Sequence, residues 1–91
     1  MTLHLIQKSP FSSSALKDCL NIINDDDCIL LMQDGVYAQQ YPALLALSNA
    51  TYIIKDDATA RGIHSHNHTQ SINYQDFVEL CSKSNNVISW Y

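Results

Sequence analysis

The sequence predicts one small α/β domain of three layers, in which helices cover a mostly parallel sheet of about five strands. Short runs rich in aliphatic and β-branched residues alternate along the whole chain with segments whose apolar residues recur at helical spacing. Parallel neighbours need crossover connections, which alternating helices supply. With 91 residues the chain is predicted to form a single domain, 1–91. The predicted strands are 2–7, 28–33, 51–56, 70–72 and 87–91.

The first predicted helix, 15–24, has the clearest periodicity. Its residues Leu16, Cys19, Leu20 and Ile23 follow the spacing i, i+3, i+4, i+7 and therefore share one helical face. The other predicted helices are 43–49, which begins just after Pro42, 56–62, with Gly62 as its C′ residue, and 73–84, with Asn73 as its N-cap.

Composition limits the classes of function. Charged residues make up 15% of the chain, against the usual ~25%. A small domain has proportionally more surface to keep in water, so we expect a protein partner to cover part of this one. The net charge of −4 argues against direct binding of nucleic acid, which needs clustered Lys and Arg.

The three cysteines, Cys19, Cys28 and Cys81, form no CxxC pair. The first residues lack a basic region followed by an apolar run, and no apolar run approaches the ~20 residues that cross a membrane. We therefore expect free thiols in a reducing cytoplasm, and no membrane contact.

The carboxyl ends of the first three predicted strands carry polar residues, and this is where open α/β sheets place functional groups. Two interpretations are open: they position a ligand or a partner's chain, or they serve only as turn and cap residues. The chain has two glycines, which excludes a Gly-rich phosphate loop. No cofactor is predicted. The polar residues are Lys8, Ser9, Gln33, Asp34, Gly35, Tyr37, Lys55 and Asp56.

His64, His66 and His68 alternate within "IHSHNHTQ" and could in principle hold a metal. A structural zinc site usually needs four ligands, often including Cys, and no Cys or carboxylate lies close in the sequence. The segment also falls between a predicted helix C-cap and a helix N-cap, where loops cross the surface. We expect a solvated loop and no metal.

Taken together, several segments resemble the DsrH/TusB family over essentially the whole chain. They are "KSPF" (8–11), "ALKDCL" (15–20), "LLMQDGVYA" (30–38), "DDATARG" (56–62), "NYQDFVEL" (73–80) and a terminal "SW" (89–90).

The resemblance implies a DsrE-like fold and a place in a persulfide relay complex. Its partners would be DsrE/TusD-like and DsrF/TusC-like subunits, in a hexamer built from two heterotrimers. In the Tus branch the relay supports 2-thiolation of the wobble uridine of tRNA; in the Dsr branch it serves sulfur oxidation. The principal acceptor cysteine belongs to the DsrE/TusD subunit, so this chain would be accessory.

Cys19 is the candidate persulfide residue of this chain, because it falls in "ALKDCL" where DsrH-type members carry a cysteine. The helical stripe argues the other way, since it predicts that Cys19 packs against the sheet. An apolar environment disfavours the thiolate that sulfur transfer requires. We expect Cys19 to be a packing residue first.

Overall fold

The computed structural model describes residues 1–64 and 68–90 and has a five-stranded sheet with helices on both faces. The strand order is β4-β3-β2-β1-β5, and every neighbouring pair is parallel. The predicted fold class is confirmed. The strands are β1 (Thr2–Ile6), β2 (Cys28–Leu31), β3 (Thr51–Ile54), β4 (Gln70–Ile72) and β5 (Asn86–Trp90).

Five helical segments connect these strands. None of those within the described ranges is long and apolar enough to cross a membrane. They are α1 (Ala15–Ile22), a 3₁₀ helix (Gln33–Gln40), α2 (Pro42–Leu45), α3 (Lys55–Ala60) and α4 (Tyr74–Lys83).

Most elements are shorter than predicted: β3, for example, ends at Ile54 because α3 begins at Lys55. The ends of β2 and α2 have identifiable causes. Strand β2 ends at Leu31 because Gln33 has a φ of 50°, a left-handed conformation that extended backbone cannot contain. Helix α2 ends at Leu45. The Asn49 amide lies nearby in the chain and donates to the carbonyl oxygens of Asn24 (2.8 Å) and Asp27 (2.9 Å), so these residues form the turn into β3 instead.

The two faces of the sheet are covered unequally. One face, here called the α1 face, packs against α1, the 3₁₀ helix, α2 and α3. Of the helices in ranges 1–64 and 68–90, only α4 covers the opposite α4 face, through the half-buried Phe77, Leu80 and Cys81. The buried apolar strand residues of the α1 face are Ile6, Ile29, Leu31 and Ile53, and those of the α4 face are Leu3, Leu5, Leu30, Ile54 and Ile72.

The predicted helix ends are confirmed at two positions. Gly62 follows α3 with a φ of +67°, the left-handed conformation that glycine adopts at C′ without steric cost. Asn73 precedes α4, and its side-chain oxygen accepts from the Asp76 N–H at 2.8 Å, which satisfies one of the free donors of the first turn.

Strand β5 forms one edge of the sheet and pairs only with β1. Val87 and Ile88, on opposite faces, are 44% and 39% exposed. The strand contains no charged residue and no proline, which are the usual means of keeping an edge strand from pairing with another chain. This edge is therefore open to a partner.

Candidate functional site

The carboxyl edge of the sheet brings two of the predicted polar residues, Gln33 and Asp34, together with residues of α3. The Asp57 carboxylate accepts the backbone N–H of Gln33 at 2.7 Å and the Tyr74 hydroxyl at 2.8 Å. Arg61 donates from Nε to Asp34 at 2.9 Å and from a terminal nitrogen to the Asp57 carbonyl at 3.1 Å. The hydrogen bond to Asp57 raises the pKa of Tyr74, with burial and the charge of Asp57 adding to it.

These hydrogen bonds link the 3₁₀ helix and α4 to α3. Because Gln33 and Asp34 take part in them, these two residues act as turn residues here. Asp57, Arg61 and Tyr74 complete the network, and none of the three was among the predicted strand-end residues. The sequence feature that could have indicated Asp57 and Arg61 was the run "DDATARG", whose charged residues lie at the two ends of a short helix.

The side chains of Lys8, Tyr37 and Lys55 form no hydrogen bond or ion pair with another residue in ranges 1–64 and 68–90. Tyr37 and the 77%-exposed Phe11 flank a cleft of about 440 Å³. Its inner wall contains Gln39, whose buried amide donates to the His64 carbonyl and accepts from Thr69 at 3.3 Å. This cleft offers apolar and aromatic contact area rather than reactive groups.

Cys19 lies in α1 with 0% of its surface exposed, packed with Leu16 in the core of the α1 face. The stripe predicted from the sequence therefore faces the sheet as expected. Burial, and secondarily the negative charge of Asp27, raises the pKa of the Cys19 thiol to about 12. Cys28 and Cys81 are half-buried free thiols whose pKa values are also raised, first by burial. The raised pKa values of the three cysteines favour the protonated thiol over the nucleophilic thiolate.

A buried polar cluster beside Cys19 was not anticipated from the sequence. His4 Nε2 and Asp27 Oδ2 are 3.0 Å apart, with the two residues 2% and 5% exposed. Trp90 Nε1–H donates to His4 Nδ1 at 3.1 Å. Because Nδ1 accepts, the ring proton is on Nε2, which donates to Asp27. The signal that could have revealed the cluster was a histidine inside the otherwise apolar strand "TLHLI".

Asp27 holds this cluster to the backbone. Its carboxylate also accepts the N–H groups of Thr2 at 3.0 Å and Asn24 at 3.1 Å. Burial alone would raise the pKa of Asp27, but the hydrogen bonds from His4, Thr2 and Asn24 outweigh burial and lower the pKa. The ionised carboxylate is thus the form that the fold stabilises.

A pH dependence of stability follows from the lowered pKa of Asp27. A depressed folded-state pKa contributes stability that is present above the unfolded value, ~3.9, and is lost as pH falls through the folded value. We expect urea unfolding to show a free energy that declines below about pH 4. Asp27→Asn should remove this part of the decline, whereas the exposed Asp25→Asn should retain it. Identical pH profiles for wild type and Asp27→Asn would contradict the assignment.

The histidines occupy different environments. The His64 ring is exposed, as expected of a solvated loop. His68 differs from that expectation: it is half-buried, and its Nε2 donates to the Leu44 carbonyl at 2.9 Å, which ties the segment to α2. His66 lies outside the described residues. Within the described ranges, no group of three or more His, Cys, Asp or Glu is placed to hold a metal.

Replacing His68 with Ala should therefore lower the free energy of unfolding by about 1 kcal/mol, since it removes one side-chain hydrogen bond to a carbonyl. His64→Ala should change it by less than about 0.5 kcal/mol. Chemical denaturation of both variants is the measurement. Equal effects would mean that the contact with Leu44 contributes nothing.

The fold and its polar edge define a small parallel α/β domain in which the described thiols are buried or half-buried and Gln33 and Asp34 serve as turn residues. The chain belongs to the DsrH-like protein family, whose model matches residues 8–87. The resemblance seen in the sequence is thereby confirmed.

Curated relatives match over nearly their whole length. Protein TusB of Escherichia coli is 34% identical over 97 residues, Protein TusB of Buchnera aphidicola 33% over 95 and Protein TusB of Erwinia tasmaniensis 30% over 95. Each alignment covers 97% of this chain and 99% of the relative.

Two solved structures share the fold. The ychN protein from E. coli superposes with a TM-score of 0.81 at 15% identity, covering 97% of both chains. Protein Tm0979 from Thermotoga maritima superposes with a TM-score of 0.68 at 28% identity, covering 91% of this chain and 93% of that one.

Proposed function

We propose that this chain is an accessory subunit of a cytoplasmic persulfide relay complex that supports 2-thiolation of the wobble uridine of tRNA. Membership of the DsrH-like family and the TusB relatives support the relay and the tRNA branch. The observation that carries the accessory role is the complete burial of Cys19.

Sulfur relay is a displacement reaction. A receiving thiolate attacks the outer sulfur of a persulfide, a new S–S bond forms, and the donor cysteine leaves as its thiolate. The receiving sulfur must be ionised and accessible to the donor. Cys19 meets neither requirement while α1 packs against the sheet, because its sulfur is fully buried and its pKa is raised to about 12. Cys28 and Cys81 are half-buried and their pKa values are also raised, so we assign the reactive cysteine of the relay to a partner.

The partners that we propose are DsrE/TusD-like and DsrF/TusC-like subunits, in a dimer of heterotrimers. Low charge content and the uncharged, exposed β5 edge support a subunit whose surface is covered in an assembly. Co-expression with such partners should yield a complex in size-exclusion chromatography, with interfaces above ~1,000 Å². A well-behaved monomer that ignores those partners would refute the assignment.

Cys19→Ser tests the accessory role directly. The variant should lose about 1–3 kcal/mol of stability, because a hydroxyl replaces a thiol in an apolar core. The assembled complex should still transfer sulfur. Cys81→Ser, at a half-buried position on the other face, is the matched control. After loading with a persulfide donor, mass spectrometry should find no added sulfur on Cys19.

The competing function, a DsrH-type subunit of sulfur oxidation in which Cys19 itself carries sulfur, makes the opposite prediction. It requires α1 to leave the sheet so that a partner can reach the sulfur. One extra sulfur atom on Cys19, together with a relay abolished in Cys19→Ser and intact in Cys81→Ser, would replace our proposal with this one.

A further inference from the structure

The sheet has a topological switch point between β3 and β4. Strand β3 leads into α3, whose Ala58 packs in the core of the α1 face, whereas β4 leads into α4 on the opposite face. The chain therefore separates at the carboxyl ends of two adjacent parallel strands, and open α/β sheets bind ligands in the crevice that such a separation leaves. Lys55 directly follows β3 and Asn73 directly follows β4.

Two clefts meet at this switch point. One, of about 240 Å³, lies on the α1 face and is lined by Lys55, Thr59, His64 and Ser71, with Ala58 and Ile63 as its apolar wall. The other, of about 600 Å³, is also lined by Lys55 and Ser71 and opens toward Asp56, Asn73 and Asp76. Lys55 and Ser71 are therefore shared by both clefts.

The local structure explains why the polar groups of the smaller cleft converge. Lys55 and Thr59 are four residues apart in α3 and lie on the same helical face. Ser71 pairs with Ile53, a buried residue of the α1 face, so its hydroxyl is on the face that α3 covers. His64 reaches the cleft from the segment that follows α3.

The chemistry of the smaller cleft is that of hydrogen-bond donors. Lys55 is a donor only, and the hydroxyls and the imidazole can each donate. No carboxylate is among the lining residues that the structure describes. The Lys55 ammonium group forms no hydrogen bond or ion pair with any residue in 1–64 or 68–90, whereas the Arg61 side chain is paired with Asp34. The Lys55 ammonium group has no described partner and is surrounded by hydrogen-bond donors. This arrangement is suited to binding an oxyanion.

The surroundings restrict the size of that anion. Asp56 and Asp76 line the adjoining cleft, and the whole chain has a net charge of −4. These carboxylates would repel a long polyanion such as nucleic acid, whereas one small oxyanion group needs only the 240 Å³ side.

We propose that the cleft lined by Lys55, Thr59, His64 and Ser71 binds a small oxyanion group, of the carboxylate, sulfate or phosphate class. The group is supplied either by a free anion or by an acidic side chain of a partner subunit. The site is separate from the relay cysteine. The free-anion source does not depend on the proposed function, whereas the partner source rests on it.

The free-anion source is tested with the full chain by NMR titration with inorganic phosphate, sulfate and acetate at constant ionic strength. Saturable shifts confined to the amides near positions 55, 59, 64 and 71 are expected, with a Kd on the order of 1 mM. Lys55→Gln should weaken binding by about fivefold or more, and Lys55→Arg should restore it. Lys17→Gln removes an exposed lysine of α1 and should change nothing.

The partner source is tested by assembly with partner subunits. If free anions do not bind, but Lys55→Gln weakens assembly while Lys55→Arg and Lys17→Gln do not, the oxyanion is a partner's carboxylate. If Lys55→Gln changes neither anion binding nor assembly, or if anion shifts are equal at all surface lysines, the proposed site does not exist.

Discussion

Asp27→Ala is expected to destabilise the chain by about 3–5 kcal/mol, because it removes a buried acceptor and each donor left unsatisfied costs about 1–3 kcal/mol. The substitution leaves His4 Nε2–H and the backbone N–H groups of Thr2 and Asn24 without their acceptor. A domain of this size has a stability of only about 5–15 kcal/mol. Urea denaturation followed by circular dichroism should therefore show a large shift in the midpoint.

Asp25→Ala is the matched control, since Asp25 lies two residues earlier in the same turn and is exposed. Its effect should stay within about 0.5 kcal/mol. If the two variants unfolded alike, the buried network would not contribute as the geometry indicates.

Gly35→Ala is expected to cost more than about 3 kcal/mol, beyond the usual range for overpacking, because the clash is with backbone. An added Cβ would lie 1.8 Å from the carbonyl oxygen of Ile6. That oxygen accepts the Met32 N–H at 3.0 Å, so the β1 backbone cannot move aside without losing a hydrogen bond. Thermal unfolding should show a large drop in midpoint.

Gly62→Ala is the comparison variant. It tests the loss of the conformational freedom of glycine without a steric clash. Nothing lies within 4 Å of a Cβ at Gly62, but its φ is +67°, so only the left-handed strain of about 1–2 kcal/mol applies. A Gly35→Ala variant no less stable than Gly62→Ala would show that the segment tolerates displacement.

The helices and strands with periodic apolar residues were predictable from sequence, because burial of one or both faces of an element sets the spacing of its apolar residues. Helix α1 and strand β3 follow directly from such patterns, and the caps at Gly62 and Asn73 follow from local chemistry. The ends of β2 and α2 were not predictable. They depend on a left-handed Gln33 and on the Asn49 amide reaching carbonyls 22 and 25 residues away in the chain.

The candidate site was less predictable, for the same reason. The burial of Cys19 follows from its helical stripe, but the neighbouring His4–Asp27–Trp90 cluster joins residues 23 and 86 positions apart. Likewise Lys55 and Ser71 could be placed beside one another only once the order of β3 and β4 was known. No periodicity within a segment encodes such pairings.

The position of β5 beside β1 has a consequence for how the chain folds during synthesis. Strand β1 precedes the other four strands in the chain, yet one of its two neighbours consists of residues 86–90. Until these emerge, β1 presents an unpaired edge, and His4 lacks the Trp90 donor that occupies its Nδ1. Joining such distant segments is slow. During synthesis, β1 should therefore remain paired on one edge only until residues 86–90 are available.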